Sequence, residues 1–199
     1  MAKMFKLPFY SSTTSTYHAF QMIHIDIWGP YKVPTHRNFR YFMTFVDDFS
    51  RATWTYLLHY KSQAFDTLKA FYAYAQTQFD TNIKIVRSDN ALEFDSPCQA
   101  FFLSHGIVHQ TSCVDRPGQN GIVERKHRHI LEIARAIRLQ AALPLKFWGD
   151  CVLTTTYLIN RLPSSVIHHK TPFEMLLHHP SNYQHLKVFG CLALAYNPF

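Results

Sequence analysis

The sequence lacks the features that mark disulfide-bonded and membrane-spanning proteins. It has four cysteines among 199 residues, and none forms a Cys-x-x-Cys pair, so a disulfide framework or structural zinc site is not predicted. We predict single buried thiols of an intracellular protein at Cys98, Cys113, Cys151 and Cys191. The first residues carry no apolar signal-peptide core, and no uncharged run is long enough to span a bilayer. We therefore expect no membrane segment.

Acidic residues are scarce. The chain has 13 Asp and Glu residues against 20 Lys and Arg residues, which gives a net charge of +7 and a pI near 9.3. This balance favours a polyanionic partner, most often nucleic acid, although a basic protein that binds no polyanion fits it too. Hydrophobic residues make up 47% of the chain, enough for one domain with a substantial core.

Alternating and β-branched residues predict five strands. Three isoleucines alternate with other residues through the first strand, residues 21–28. The other strands are predicted at residues 40–47, 53–59, 83–88 and 107–111. A short turn joins the second strand to the third, which indicates an antiparallel hairpin. The strand–helix–strand order that follows places the fourth strand parallel in the same sheet.

Helical periodicity predicts helices between and after the strands. Ser62 is predicted to cap the first helix, whose buried stripe would be Phe65, Leu68, Tyr72, Ala75 and Phe79. Further helices are predicted at residues 97–105, 121–140 and 146–161, and a capping box starts a short helix at Thr171. Residues 188–196 suggest a strand or a hairpin cut short. The predicted fold class is α/β, a mixed five-stranded sheet flanked by helices, with extra C-terminal helices.

Three acidic residues occupy positions where an α/β sheet places its sites. Asp26 and Asp89 lie at the ends of predicted strands, and Glu124 lies in the first turn of a long helix. Converging carboxylates repel by roughly 4 kcal/mol per pair at 4 Å, so they need protons or a divalent cation. An all-oxygen set favours Mg²⁺ or Mn²⁺, and two such ions can act on a phosphodiester. The alternative is three unrelated acids in turns and at a helix end.

Basic and amide residues beside these acids have both functional and ordinary interpretations. Arg125, Lys126 and Arg128 either contact DNA phosphates or form a solvated helix face. Arg128 shares the face of Glu124 through their four-residue spacing, and Arg135 lies further along it. Asn90 and Asn120 either orient a carboxylate, water or base, or serve turns in which asparagine tolerates a left-handed backbone.

Other acidic and aromatic residues are predicted to be structural. Asp47 and Asp48 would set the hairpin turn, with Arg51 as their partner, and Glu93 would be peripheral. The tryptophans are interpreted as packing residues rather than as platforms for nucleic-acid bases, at Trp28, Trp54 and Trp148.

Six sequence blocks in order resemble one family. They are residues 24–30, 45–51, 87–94, 105–110, 119–126 and 187–191. In this order they resemble the catalytic core of a retroviral-type integrase, in particular that of copia-type LTR retrotransposons. The similarity runs along nearly the whole chain from about Met22.

The resemblance implies an RNase H-like fold with an Asp-Asp-Glu triad at Asp26, Asp89 and Glu124, which would hold two Mg²⁺ ions. It implies DNA as the partner: water trims the 3′ end of the element's DNA, and the freed hydroxyl attacks a target phosphodiester in line. Nucleic-acid contacts would come from Asn120, Arg125, Lys126 and Arg128. A homodimer or larger oligomer is expected, made in the cytoplasm and active in the nucleus.

Three departures accompany the resemblance. The segment between Asp89 and Glu124 holds 34 residues, one fewer than is usual in the family, and we assign the deficit to residues 95–100. The family's zinc-binding segment is not found, so no structural zinc is expected in this stretch. Residues 1–20 are interpreted as a linker remnant, 21–142 as the core, 143–185 as a helical extension and 186–199 as a truncated tail.

The departures leave alternatives to an active integrase core. The chain is expected to be a fragment or a decayed copy, and one alternative is a catalytically inactive remnant that binds DNA or itself. Another is an RNase H-type nuclease, because the same fold and metal chemistry would serve it.

Overall fold

The computed structural model of the protein describes residues 16–89, 96–111 and 121–192. Its strands are β1 (Met22–Trp28), β2 (Tyr41–Asp47), β3 (Thr53–Leu58), β4 (Ile85–Ser88) and β5 (Val108–Thr111). Its α-helices are α1 (Ala64–Phe79), α2 (Ser96–Ser104), α3 (Gly121–Gln140), α4 (Trp148–Ile159) and α5 (Pro172–Leu177). The predicted order of strands and helices is therefore confirmed.

The strands form one mixed sheet in the order β3-β2-β1-β4-β5. The β2–β3 hairpin is antiparallel, and β2 also pairs antiparallel with β1. Strand β4 pairs parallel with β1 and with β5. The β1–β4 register sets His24 opposite Arg87, and two residues further along it brings Asp89 level with Asp26. The carboxyl ends of two parallel neighbours thus bring both aspartates to one edge of the sheet.

Side-chain alternation along the strands divides the core into two layers. On one face, Ile23, Ile25 and Phe45 pack against α1, where Phe71 is fully buried. On the other face, Phe42 packs with residues of α3 and α4, including Ile130, Trp148 and Val152. Because Asp26 lies two residues from both His24 and Trp28 on β1, it faces the α3 layer.

Helix α3 is placed by an apolar seam at the spacing expected of a buried helical stripe. The seam consists of Gly121, Val123, His127, Ile130 and Ala134, all of them buried. It fixes the rotation of α3 about its own axis, because the burial of these side chains is lost if the helix turns. The direction in which every other side chain of α3 points follows from this rotation.

Several local predictions are wrong. Ser62 does not cap α1, because a 3-10 turn over Lys61–Gln63 leads directly into the helix. Phe65 and Phe79 are only partly buried, whereas Phe71 belongs to the buried stripe and was not predicted. Residues 188–192, the described part of the apolar tail, contain no strand.

The cysteine prediction holds in part. Cys98 and Cys151 are buried, but Cys191 is exposed, because its segment forms no regular element that packs on the core. Cys113 lies outside the described residues.

The capping box at α5 is confirmed. The Thr171 backbone N–H donates to Glu174 Oε2 at 2.7 Å, and the Glu174 N–H donates to Thr171 Oγ1 at 3.1 Å. Within the described ranges, no helix has the length and apolar character needed to cross a membrane.

Candidate active site

Asp26 occupies the fifth position of β1, on the face covered by α3. Its Oδ1 atom accepts a 2.8 Å hydrogen bond from the Ile27 backbone N–H, and its side chain is 19% exposed. Asp89 directly follows β4 and is half-buried. Glu124 lies in the first turn of α3 and is exposed.

The three predicted acidic residues converge electrostatically. Burial, followed by the negative charges of Asp89 and Glu124, raises the pKa of Asp26 to about 7. The Ile27 hydrogen bond and the positive charge of Lys61 act on this pKa in the opposite direction. Asp26 therefore lies within the field of both other carboxylates.

The carboxylates are near one another without forming a closed ligand set. Among the described residues, no three His, Cys, Asp or Glu side chains are grouped closely enough to hold a metal ion. The electrostatic influence on Asp26 and the absence of a close ligand group among these residues are compatible. Coulomb forces act over longer distances than those that separate the ligands of one metal ion. The donors are all oxygen, as Mg²⁺ and Mn²⁺ prefer, and a cation would relieve the crowding that raises the Asp26 pKa.

His127 is a neighbour of Asp26 that sequence reasoning missed. Its Nδ1 atom lies 3.4 Å from Asp26 Oδ2, and its ring meets Phe42 edge-on with centroids 5.2 Å apart. Burial lowers the His127 pKa to about 4, so the imidazole is neutral at physiological pH. The signal was available: His127 is four residues after Val123 and three before Ile130, which places it on the seam.

The layer beside Asp26 holds buried polar atoms without hydrogen-bond partners in the described part of the chain. They are His24 Nδ1, Thr44 Oγ1 and His127 Nε2. Thr44 is the cross-strand partner of Asp26, and His24 precedes Asp26 by two residues on the same face of β1. Buried polar atoms of this kind cost about 1–3 kcal/mol each, so this part of the core is not optimised for stability alone.

Lys61 is a second residue that was missed. It lies in the 3-10 turn after β3. Its positive charge partly offsets the rise in the Asp26 pKa. No periodic pattern could identify it, because its position depends on the path of the chain between β3 and α1.

The basic residues after Glu124 lie on two sides of α3. We call the side of Glu124, Arg128, Leu131 and Arg135 the carboxylate flank. We call the side of Ile122, Arg125, Lys126 and His129 the basic flank. With 3.6 residues per turn, Arg128 lies close to Glu124 around the helix, whereas Lys126 points away from it. The face shared by Glu124, Arg128 and Arg135 is thus confirmed, but the basic run is not one surface.

Each flank borders a cavity. On the carboxylate flank, a cavity of about 220 Å³ is lined mainly by aromatic and apolar residues, with Arg135 and Arg138. Its aromatic members are Trp28, Tyr31 and Trp148, which contact one another. All three tryptophans of the chain pack against the core clusters, as predicted.

The basic flank borders a larger cavity of about 360 Å³. Lys126 lies in it, and its pKa is lowered to about 8 by burial and by the neighbouring charge of Arg51. Burial and the charge of Lys126 lower the pKa of His129, partly offset by Glu132. Arg125 folds back over the helix start, since a Cβ atom at Gly121 would lie 2.9 Å from Arg125 Nη1.

The acidic pair at the end of β2, Asp47 and Asp48, is structural, as predicted. Asp47 is fully buried and accepts hydrogen bonds from the Phe20 N–H and from the Ser50 N–H and hydroxyl at 2.6–2.8 Å. Asp48 lies 3.0 Å from His24 Nε2 and 3.4 Å from Arg51 Nη1. Burial would raise the pKa of Asp48, but these partners hold it below its usual value. Both carboxylates hold the β2–β3 turn.

Some predicted site residues lie outside the described part of the chain. They are Asn120 and Asn90, and the peripheral Glu93 also lies outside it.

The comparison with family models decides the assignment. Residues 16–117 match the family described as the integrase core domain. This chain belongs to the integrase core domain family. The match includes Asp26 and Asp89, and Glu124 follows it in the sequence.

Curated relatives place this integrase core among retrotransposon proteins. It is 39% identical over 189 residues to the Retrovirus-related Pol polyprotein from transposon RE2 of Arabidopsis thaliana. It is 36% identical over 197 residues to that from transposon TNT 1-94 of Nicotiana tabacum. These alignments cover 95% and 98% of the chain but only 13% and 15% of the two polyproteins.

Solved structures with the same fold come from retroviral integrases. One is a simian T-cell lymphotropic virus intasome in complex with PP2A regulatory subunit B56 gamma, with a TM-score of 0.66 and 18% identity over 92% of this chain and 62% of that one. Another is the trimeric form of the HTLV-2 integrase catalytic core domain in complex with magnesium, with a TM-score of 0.58 and 21% identity. That alignment covers 80% of this chain and 97% of the other. The predicted RNase H-like fold is confirmed.

Proposed function

We propose that this chain is the catalytic core of a DNA integrase. It would trim the 3′ ends of element DNA and join them to target DNA, as a polynucleotidyl transferase dependent on Mg²⁺ or Mn²⁺. The observation that carries the proposal is the parallel β1–β4 register, which brings Asp89 level with Asp26 at one edge of the sheet. The influence of Glu124 on the Asp26 pKa supports a position of the start of α3 near the same edge.

In this proposal Asp26, Asp89 and Glu124 hold two divalent ions. Bound ions would lower the pKa of the attacking water or hydroxyl and would stabilise the leaving oxygen. Asp26 is held for this task by the Ile27 N–H on one oxygen and by His127 beside the other. His127 stays neutral, so it places no competing positive charge beside the carboxylate.

The proposal also predicts that metal binding releases a proton from Asp26. Without a cation, a carboxyl with a pKa of about 7 is protonated in half of the molecules at neutral pH. A cation stabilises the ionised form, so loading the site releases this proton. Metal affinity would therefore rise as the pH increases through 7.

The DNA contacts in this proposal are made by the basic residues of α3 and by Asn120. Arg128 is exposed on the carboxylate flank, where it would bind a phosphate close to the reacting one. Arg125 and Lys126 would bind phosphates on the basic flank. We also propose assembly into a dimer or larger oligomer and action in the nucleus, where the target DNA lies.

Metal-dependent strand joining and its reversal, measured on oligonucleotides that carry the element ends, test the proposal. The wild-type chain is compared with Asp89→Asn and with Asp66→Asn, a matched control whose exposed side chain on α1 pairs only with Lys69 among described residues. We expect Asp89→Asn to lose activity and Asp66→Asn to keep it. Equal activity in all three proteins would overturn the assignment.

A second candidate is an inactive remnant that binds DNA or itself. The observation in its favour is that no closed three-residue ligand group exists among the described side chains. DNA binding with a strong salt dependence, but with no metal-dependent joining or cleavage by the wild type, would identify it. Preferential cleavage of an RNA–DNA hybrid would instead identify an RNase H-type nuclease.

A further inference from the structure

The basic cavity is built from three separate parts of the chain. Arg51 comes from the β2–β3 turn, and the loop after α4 provides its opposite wall. The basic flank of α3 forms the floor. Its lining comprises Arg51, Ile122, Arg125, Lys126, His129, Ile159, Leu162, Pro163, Ser164, Val166 and Pro172. It is a concave site held by packed elements, not a row of side chains on an exposed helix.

The charges that line this cavity have one sign. Arg51, Arg125 and Lys126 are cationic, and no Asp or Glu is among its described lining residues. Because these three side chains line one cavity, their like charges repel one another. Such repulsion is a cost that an anion in the cavity would offset.

Lys126 has no anionic partner among the described residues. Its side chain is half-buried and lines the cavity, and no described residue forms an ion pair or accepts a hydrogen bond from it. Arg51 has a partner in Asp48, at 3.4 Å, which holds the guanidinium in place. Ile159, which is buried, also lines the cavity, and such an apolar neighbour strengthens attraction to an anion.

We propose that this cavity binds a backbone phosphate of DNA, on the opposite side of α3 from the carboxylates. The inference rests on the proposed function, in which Arg125 and Lys126 contact DNA phosphates, and adds Arg51 and the loop after α4 as parts of one phosphate site. A phosphodiester matches the site because Arg51 and Arg125 present planar forks of donors and Lys126 presents a point charge. Ser164 adds a hydroxyl group at the rim.

The separation of the cavity from the carboxylates fits the spacing of phosphates along a DNA strand. Glu124 and Lys126 are two residues apart on α3, so the two sites are separated mainly by the width of the helix, roughly 10 Å. Base pairs rise by about 3.4 Å along a duplex, so roughly three nucleotides span this width. A strand with its reacting phosphodiester at Asp26 can therefore place another phosphate in the cavity.

The salt dependence of DNA binding tests this inference. The double variant Arg51→Gln/Lys126→Gln is compared with Arg37→Gln/Lys84→Gln, a matched control that removes the same charge from exposed positions elsewhere. The slope of log K against log salt falls by about 0.9 for each phosphate that the protein no longer neutralises. We expect that change in the first variant and a smaller one in the control. Equal changes in both, or none in the first, would overturn the inference.

A variant that removes no packed side chain guards against misfolding. Ser164→Glu introduces a carboxylate at the rim of the cavity, and Ser104→Glu introduces one at the exposed end of α2. We expect only Ser164→Glu to weaken DNA binding several-fold. If inorganic phosphate stabilises the wild type but not Arg51→Gln/Lys126→Gln, while the DNA slopes of these two proteins agree, the site takes the free ion and the DNA inference is wrong.

The integrase assignment and the cavity inference can be disproved independently of each other. If the cavity variants leave the salt slope unchanged but Asp89→Asn abolishes strand joining, the integrase assignment stands and the cavity inference falls. If Asp89→Asn joins strands as well as the wild type, the integrase assignment falls whatever the cavity variants do.

Discussion

The two flanks of α3 differ in charge although a single helix carries both. On the carboxylate flank, Glu124 lies within the electrostatic range of Asp26, which is also affected by Asp89. On the basic flank, Lys126 lines a cavity together with Arg51 and Arg125. The buried seam that includes His127 and Ile130 separates the two flanks. A linear run of acidic and basic residues thus becomes two surfaces of opposite charge, because each residue turns the helix by about 100°.

The largest expected difference between the flanks is in catalysis. Glu124→Gln removes a proposed metal ligand, so we expect strand joining to fall by roughly a thousandfold or more, since charge stabilisation by metal ions is worth several kcal/mol. DNA affinity would stay the same or rise, because a negative charge is removed near the phosphates. Joining rates at saturating DNA and binding isotherms measure the two effects. A parallel loss of affinity would contradict the separation of the flanks.

Ile130→Ala tests whether the seam fixes both flanks at once. Ile130 is fully buried between the sheet and α4, so its truncation is expected to cost about 2–5 kcal/mol of unfolding free energy. Chemical denaturation measures this cost. As the temperature approaches the lowered melting transition of this variant, we expect the rate of strand joining and the salt slope of DNA binding to decrease together. Loss of only one of them would show that the flanks are positioned independently.

Asp26→Asn is expected to stabilise the metal-free protein at high pH. The native pKa of about 7 lies above the unfolded value of 3.8, so the native state binds more protons and stability falls as the pH rises from about 4 to 7. Asparagine carries no charge and avoids this loss, which amounts to about 1–4 kcal/mol at pH 8. Unfolding at pH 8 and at pH 5, both with a chelator, measures the difference. The gain at pH 5 is expected to be about 40% of that at pH 8, because only the lower part of the range between the two pKa values has been crossed.

His127→Leu is expected to stabilise the protein at low pH, whereas Asp26→Asn stabilises it at high pH, and the gain from His127→Leu is expected to be smaller. The native His127 pKa of about 4 lies below its unfolded value of 6.5, so this group makes stability rise with pH across that range. Leucine abolishes the rise and leaves no buried nitrogen unpaired, so we expect a gain of about 1–2 kcal/mol near pH 5. The same denaturation series measures it. An unchanged slope between pH 4 and 6.5 would contradict the assigned pKa.

Much of this arrangement could be predicted from the sequence. The isoleucine alternation located β1, and the strand–helix–strand order predicted that β4 lies parallel in the same sheet. The structure adds that β4 is the direct neighbour of β1, which brings Asp26 and Asp89 to one edge. The bounds of α3 were predicted correctly because a glycine-rich loop precedes it and Leu143-Pro144 follow it. The integrase core assignment rested on the ordered blocks and is confirmed by the family match.

What the sequence did not reveal depends on contacts between distant segments. Lys61 and Arg51 reach their places through turns whose paths no periodicity encodes. Ser62 looked like a helix cap, but the chain enters α1 through a 3-10 turn. The exposed Cys191 shows that an apolar segment is buried only when the rest of the fold provides a surface for it. The predicted nucleic-acid contacts of Asn120, Arg125, Lys126 and Arg128 stay predictions.

The unpaired polar atoms of Thr44 and His127 have a consequence for how this protein would change under selection. A chain selected only for thermal resistance would replace them with apolar side chains, because each costs about 1–3 kcal/mol where it is. Such a chain would lose the polar lining of Asp26 before it lost the fold. Sequences from inactive copies are therefore expected to keep the sheet while drifting towards leucine, valine and phenylalanine at these positions. The residues that occupy them can thus serve as a record of whether a copy still depended on its active site.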